Sequence, residues 1–547
     1  MTLYRRLLAA VLLLSTSRQS SLAKSVRSTT SCAYPGLINA TADQLQQGLV
    51  EGCFTSVDLV NAYVARIHEV NATLHMVLEI NPDAVDIARQ LDAERGRGVV
   101  RSALHGLPVL VKDMIGTHDK MQTSAGSYAL VGAQTPEDAT VVAKLRQKGA
   151  IILGKTSMSE WANVRSMNSS NGWNARGGLT YAAYYPQQDP SGSSSGSGVA
   201  ADLGLALGAL DGSILYPSEA NNIVGIKPTV GLTSRHMVVP ISQRQDTIGP
   251  MARTVKDAAL LLQAMAGPDP LDNYTLASPF GQQIPDYPAA CKLSALQGKR
   301  IGVAQNVLSG VRSPVLSAFQ HALDILQSAG ATIVPGTNFT AWDEFRNSTT
   351  PDMVVAADFT SDLTNFLSSL TTNPNRIRSL DDLRAYTQHD PREQYPSRDT
   401  ALWDLMLAGA VDNTSPAFWA MYQQNLYFGG EGGLLGALAR HNLDAVVLPT
   451  AVAARIPALI GSPVVTVPLG AWPDGTPVVR NAFGDLVVQA PGVPLGMSFL
   501  GARWSEESLI GMAYAFEQRS RVRETLRRVV EPRGELGDVV ARDVCPA

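Results

Sequence analysis

The feature that most constrains this chain is a helix-then-strand unit punctuated by glycine. Ala139 to Lys148 has the spacing of an amphipathic helix, Gly149 follows, and Ala150-Ile-Ile-Leu153 reads as a short buried strand closed by Gly154. The order recurs, with a strand at Arg300 to Ala304, a helix at Pro314 to Ser328 and a strand at Ala331 to Val334. Further strands are expected at Asp444 to Leu448 and Pro463 to Val467, and a helix at Ser505 to Arg519. Such alternation predicts an α/β fold.

Earlier in the chain, Thr55 and Asp58 form a capping box ahead of Val57, Val60, Val64 and Ile67 at helical spacing. Asp83 to Arg95 is a second helical stretch, ending in the turn Gly96-Arg97-Gly98. Leu107 to Val111 then reads as a buried strand that runs into Lys112-Asp113. Residues 336–435 differ in character, being rich in Asn, Thr, Asp and aromatics, and are expected to form a mostly helical surface insertion. A separate domain is the other option there, but strands of the same style resume afterwards, which favours one elaborated domain.

The N-terminus has the order of a secretory leader: Arg5 and Arg6, the apolar run Leu7 to Leu14, and small residues at Ser21-Leu22-Ala23. That run falls short of the roughly 20 apolar residues that span a bilayer. We therefore expect a signal peptide at residues 1–23, a secreted mature chain from 24 to 547, and no membrane span; an amphipathic first helix is the plainer alternative. Secretion agrees with N-x-[ST] sequons at Asn39, Asn71, Asn168, Asn273, Asn338, Asn347 and Asn413. It also agrees with an even count of cysteines, Cys32, Cys53, Cys291 and Cys545, which permits two disulfides in any of three pairings or leaves buried thiols. The histidines are scattered singly and no C-x-x-C occurs, so no metal site is expected. A formal net charge of −4 argues against nucleic acid as a main partner. Oligomeric state stays open.

Three groups carry candidate chemistry. Pro190-Ser-Gly-Ser-Ser-Ser-Gly-Ser-Gly198 has a linker's composition, but it leads straight into an apolar helical run from Val199 to Leu210. Its glycines suit a loop that brings backbone N–H groups close to a ligand. Asp211-Gly212-Ser213-Ile214 can expose a hydroxyl on a tight turn beside N–H donors able to hold an oxyanion. Lys112, at the end of an apolar strand, either snorkels to solvent or lies buried with a lowered pKa and acts as a base.

Taken together with other stretches, these groups make the chain resemble the amidase signature hydrolases. The matching segments are His105-Gly-Leu-Pro-Val-Leu-Val-Lys-Asp113, Thr123-Ser-Ala-Gly-Ser127, Ile152 to Asn163, the Ser/Gly tract and Gly225-Ile-Lys-Pro-Thr229. Asp246 to Val255, Leu448-Pro-Thr450, Pro494 to Gly501 and Ala513 to Glu517 continue the match. The resemblance implies a single large mixed β-sheet sandwiched between α-helices, no cofactor, and a small-molecule or peptide-like amide as substrate. It implies Lys112 as general base, Ser193 as the bridging serine of a cis peptide bond, and Ser213 as nucleophile. Asp211, Gly212 and Ser213 would supply oxyanion N–H groups, and Ser194 an orienting hydroxyl.

Two departures stand out. The link into the nucleophile, Leu207-Gly-Ala-Leu210 joined directly to Asp211, is about four residues short of the family's pattern, a length worth up to roughly 13 Å of extended chain. Unless the preceding helix unwinds, Ser213 is expected to miss Ser193 and Lys112, which would leave an impaired amidase-fold protein that binds amide-like ligands. Leu215 and Tyr216 stand where several members hold an Arg, which disfavours carboxylate-bearing substrates. The family also includes the tRNA-amidating amidotransferases, a reading opposed by the leader and the sequons.

Overall fold

The computed structural model describes residues 32–409 and 412–544. The expected leader and Cys545 lie outside them. The first strands are β1 (Val77–Ile80), β2 (Pro108–Lys112), β3 (Ile151–Thr156), β4 (Gly208–Asp211), β5 (Val224–Lys227) and β6 (Gly249–Ala252). They are followed by β7 (Arg300–Gly302), β8 (Thr332–Val334), β9 (Ala445–Pro449), β10 (Val464–Ala471) and β11 (Pro494–Leu500). All belong to one 11-stranded sheet in the order β1-β3-β2-β4-β6-β5-β10-β11-β9-β7-β8. The sheet is mixed: β4, β2 and β3 run parallel, as do β9, β7 and β8, while the middle strands pair antiparallel. β2, β3 and β9 are buried along their whole length, as strands covered on both faces by helices must be.

The helices used below are α1 (Ser56–Leu74), α2 (Thr140–Gln147), α3 (Ser195–Asp202), α4 (Leu215–Ala220), α5 (Val255–Met265), α6 (Ser313–Ser328), α7 (Thr350–Ser369) and α8 (Glu506–Ser520). α1 opens on the expected capping box: the Thr55 hydroxyl accepts from the Asp58 N–H, and the Asp58 carboxylate accepts from the Thr55 N–H. α2, α6 and α8 lie within a residue or so of their expected bounds. The expected insertion is helical, with α7 its longest element, and its apolar faces join the main core. Trp403, fully buried, meets Trp161 edge to face at 6.1 Å, a pair geometry worth about 0.5–1.5 kcal/mol beyond the area buried. Residues from Tyr34 onward form one compact unit.

One expectation is corrected here. The apolar run Val199 to Leu210 is not a single helix; α3 stops at Asp202 and the chain re-enters the sheet as β4. Gly204 turns at φ +60°, where a Cβ would sit 2.4 Å from the Leu37 carbonyl oxygen. Two buried arginines satisfy the carbonyls this turn frees. Arg66 of α1 donates to Leu203 O (2.9 Å) and Gly204 O (3.0 Å). Arg253, just past β6, donates to Ala201 O and Ala206 O, both at 2.9 Å. Cations at a helix C-terminus also complement its dipole. The short link is thus built as a clamped turn followed by a strand.

Cys32 and Cys53 are disulfide-bonded, whereas Cys291 is a half-buried thiol whose pKa burial pushes up to about 12. Cys545, which a second disulfide would need, lies outside the described residues. Among the described residues, no helix is long and apolar enough to cross a membrane.

Candidate active site

Strand register brings the first two candidate groups together. β2 and β4 run parallel with Leu110 opposite Ala209 and Val111 opposite Leu210. The next residues, Lys112 and Asp211, therefore leave the sheet side by side at the carboxyl ends of their strands, where open α/β sheets form their ligand crevices. Lys112 is 0% exposed, so the snorkelling alternative fails.

The Ser/Gly tract supplies the next groups, and it is no linker. Ser191 holds φ +63° and the Gly192–Ser193 peptide bond is cis. The Ser193 carbonyl accepts from the Ser159 N–H (2.9 Å), the Ser191 carbonyl from the Ser195 hydroxyl (2.6 Å), and the Pro190 carbonyl from the Asn221 amide (3.0 Å). Glycine is required by close approach: a Cβ at Gly192 would lie 2.6 Å from the side-chain amides of Asn163 and Asn171, and one at Gly196 would lie 2.2 Å from Met76 O. Asp113, beside Lys112, anchors the facing loop by accepting from the Ser124 hydroxyl and the Gly126 N–H.

From these anchors an unbroken polar chain runs through the site. Lys112 Nζ donates to Ser193 Oγ at 2.8 Å and to Ser194 Oγ at 2.9 Å. Ser193 Oγ lies 2.9 Å from Ser213 Oγ, and either hydroxyl can donate. Ser213 sits between β4 and α4, partly exposed, while Ser193 and Ser194 are buried. The shortened link has therefore not separated the three residues. Asp211 stands in the sheet opposite Gly249, whereas the N–H groups of Gly212, Ser213 and Ile214 meet no acceptor among the described residues. Beside an attacked carbonyl, free donors of this kind suit an oxyanion.

Burial sets the electrostatics. It pushes the Lys112 ammonium below the ordinary lysine range, and the Asp211 carboxylate opposes that shift. Burial equally pushes the Asp211 carboxyl up, with Lys112 the main opposing influence. Ser213 opens onto a cavity of about 390 Å³ with a largely apolar wall that includes Met114, Val238 and Leu271. Asp246 and Asp362 also face it; burial raises their carboxyls to about 6 and about 7. Arg235, on the same wall, is held in an ion pair with Asp272. Leu215 is buried in the core, and Tyr216 lines a different cavity.

The structure brings together Lys112, Ser193, Ser194 and Ser213, which the sequence singled out, while the residues of the cavity wall carry no such signal. Asp362 and Asn365 come from α7 inside the insertion, and no motif marks them. The side-chain contact of Asp211 with Lys112 was legible only through strand register.

The chain is similar to known proteins over most of its length. The family described as Amidase matches residues 58–510. A protein of Arthroderma benhamiae named "Putative amidase" is 54% identical over 93% of this chain and 90% of its own length. The native peptide amidase from Stenotrophomonas maltophilia superposes with a TM-score of 0.80 at 37% identity, covering 91% of this chain and 99% of the other. A glutamyl-tRNA(Gln) amidotransferase protein from Salinispora arenicola is 38% identical over 54% of this chain and 60% of its own.

Proposed function

The chain belongs to the amidase family, and from that premise we propose that it is a secreted serine amidase working through Ser213, Ser193 and Lys112. The observation that carries the reading is the continuous contact from Lys112 Nζ to Ser193 Oγ (2.8 Å) and on to Ser213 Oγ (2.9 Å). Neutral Lys112 takes the Ser193 proton as Ser193 takes that of Ser213, whose oxygen attacks the amide carbonyl. The carbonyl oxygen gains negative charge and is held by the free N–H groups around Gly212 and Ser213. Collapse of the tetrahedral intermediate breaks the C–N bond, and the proton returns through Ser193 to the leaving ammonia or amine. Water then resolves the ester on Ser213 by the same route, giving a carboxylate.

The substrate is a small-molecule or peptide-like carboxamide. Peptide amidase is among the relatives of similar fold, and the cavity wall is apolar with carboxylates rather than a free cation. The Arg235 guanidinium on that wall is already engaged by Asp272, which disfavours an amide bearing a nearby carboxylate. Secretion is supported by the order of residues 1–23, the sequons and the disulfide-bonded Cys32 and Cys53.

A fluorophosphonate probe tests the mechanism, because it reacts only with an activated serine. Labelling of the wild type that disappears in Ser213→Ala is expected. Folded wild-type protein that takes up no label would overturn the enzyme reading and leave a protein that binds amide-like ligands.

A further inference from the structure

In the amidase pattern Asp211 counts only as a source of a backbone N–H. Its side chain is the more unusual feature. The carboxylate is 0% exposed, and neither oxygen has a hydrogen-bond partner among the described residues. The hydroxyls of Ser194 and Ser197 stand close enough to favour its charged form, and Lys112 Nζ lies 3.4 Å from Oδ1. A buried carboxylate without a hydrogen bond is costly unless a cation or a proton compensates it.

The neighbouring charges are already committed elsewhere. Just past β2, Asp113 accepts from Ser124 and Gly126 and faces Arg176. On β3, Lys155 donates to Ile115 O and Thr123 Oγ1. At the end of α3, Asp202 pairs with Arg528. Ahead of β6, Asp246 accepts from the N–H groups of Ile241 and Ser242, and its charge reaches Lys112. Past β6, Arg253 donates to backbone carbonyls. Lys112 is therefore the ion-pair partner of Asp211.

We propose that Asp211 is a positioning residue whose carboxylate holds a proton on Lys112, and so sets the pH above which Lys112 can serve as a base. This rests on the Ser213–Ser193–Lys112 reading. With the proton on Nζ, the pair is an ammonium and a carboxylate, and the relay is blocked. Loss of that proton to solvent at higher pH leaves an amine beside the Asp211 carboxylate. The freed lone pair on Nζ then accepts the Ser193 proton. The carboxylate form favours the ammonium, so it moves the acid limb of activity to higher pH. Burial opposes it in both residues.

The test is the pH profile of second-order fluorophosphonate labelling at Ser213, together with kcat/KM on a peptide amide. Asp211→Asn keeps the shape and removes the charge. Its acid limb should move down by roughly 1–3 pH units, the range for loss of a close opposite charge. Asp211→Ala, should the amide disturb the fold, is expected to move the limb in the same direction. A variant that labels normally with an unmoved limb, or with a limb moved to higher pH, overturns the proposal. Wild-type protein that labels at no pH overturns the triad reading instead, so the two failures are distinguishable.

Discussion

Ser193 and Ser194 are consecutive and both accept from the Lys112 ammonium, yet only Ser193 touches Ser213. Their substitutions should therefore separate. Ser193→Ala cuts the relay and should lower kcat/KM by about 10²–10⁴-fold, the usual weight of positioned proton transfer. Ser194→Ala removes one bond that orients Nζ and should cost far less. Steady-state kinetics on one amide decides the point: equal losses would mean that Ser193 does not carry the proton. At this scale much was legible in the chain, since Lys112, Ser193 and Ser213 lie in local motifs. The Lys112–Asp211 contact was not, because it joins residues of two strands and depends on their register.

At the scale of elements, the decisive event is the break between α3 and β4. The run from Val199 to Leu210 is apolar almost throughout, so its pattern alone does not separate one buried helix from a helix followed by a buried strand. What divides it is remote: Arg66 and Arg253 supply donors to carbonyls that a continuing helix would have satisfied itself. Arg253→Met keeps much of the side-chain volume but leaves the carbonyls of Ala40, Ala201 and Ala206 without those donors. Ala201 O keeps the Gly204 N–H (3.4 Å), and each carbonyl left unpaired costs about 1–3 kcal/mol. A clear drop in the unfolding midpoint is expected, with slower fluorophosphonate labelling because the turn that leads into β4 and Ser213 loosens. Wild-type stability in this variant would show that the clamp does not hold the turn. The glycine-punctuated strands β2 and β3, by contrast, were legible because a short apolar run between turns has few other fates.

Across the whole molecule, the buried Arg165 is one of the cations that tie the segment 336–435 to the core, beside the Arg244–Asp358 and Arg398–Asp485 pairs. Arg165 pairs with Glu160 and with Glu393 (3.1 Å), and donates to the carbonyls of Glu393 and Arg398, both at 2.7 Å. Glu393 also accepts from the Ser127 hydroxyl and the Tyr128 N–H at 2.8 Å, so the knot joins the segment to a loop beside the site. Burial, and then the Glu393 charge, push the Glu160 carboxyl well above its usual range, and the Arg165 charge opposes that shift. Arg165→Met leaves Glu160, Glu393 and the carbonyls of Glu393, Arg398 and Asp399 without this partner; breaking a buried pair from one side costs about 3–5 kcal/mol. The loss should act first on the segment, because its own contacts to the core are what the knot supplements. Since α7 within it places Asp362 and Asn365 on the cavity wall, KM should rise while labelling of Ser213 at saturating probe persists. Limited proteolysis should cut Arg165→Met within residues 336–435 before the rest of the chain. Uniform cleavage, or a fall in kcat with KM unchanged, would mean that the segment does not shape the cavity through this knot.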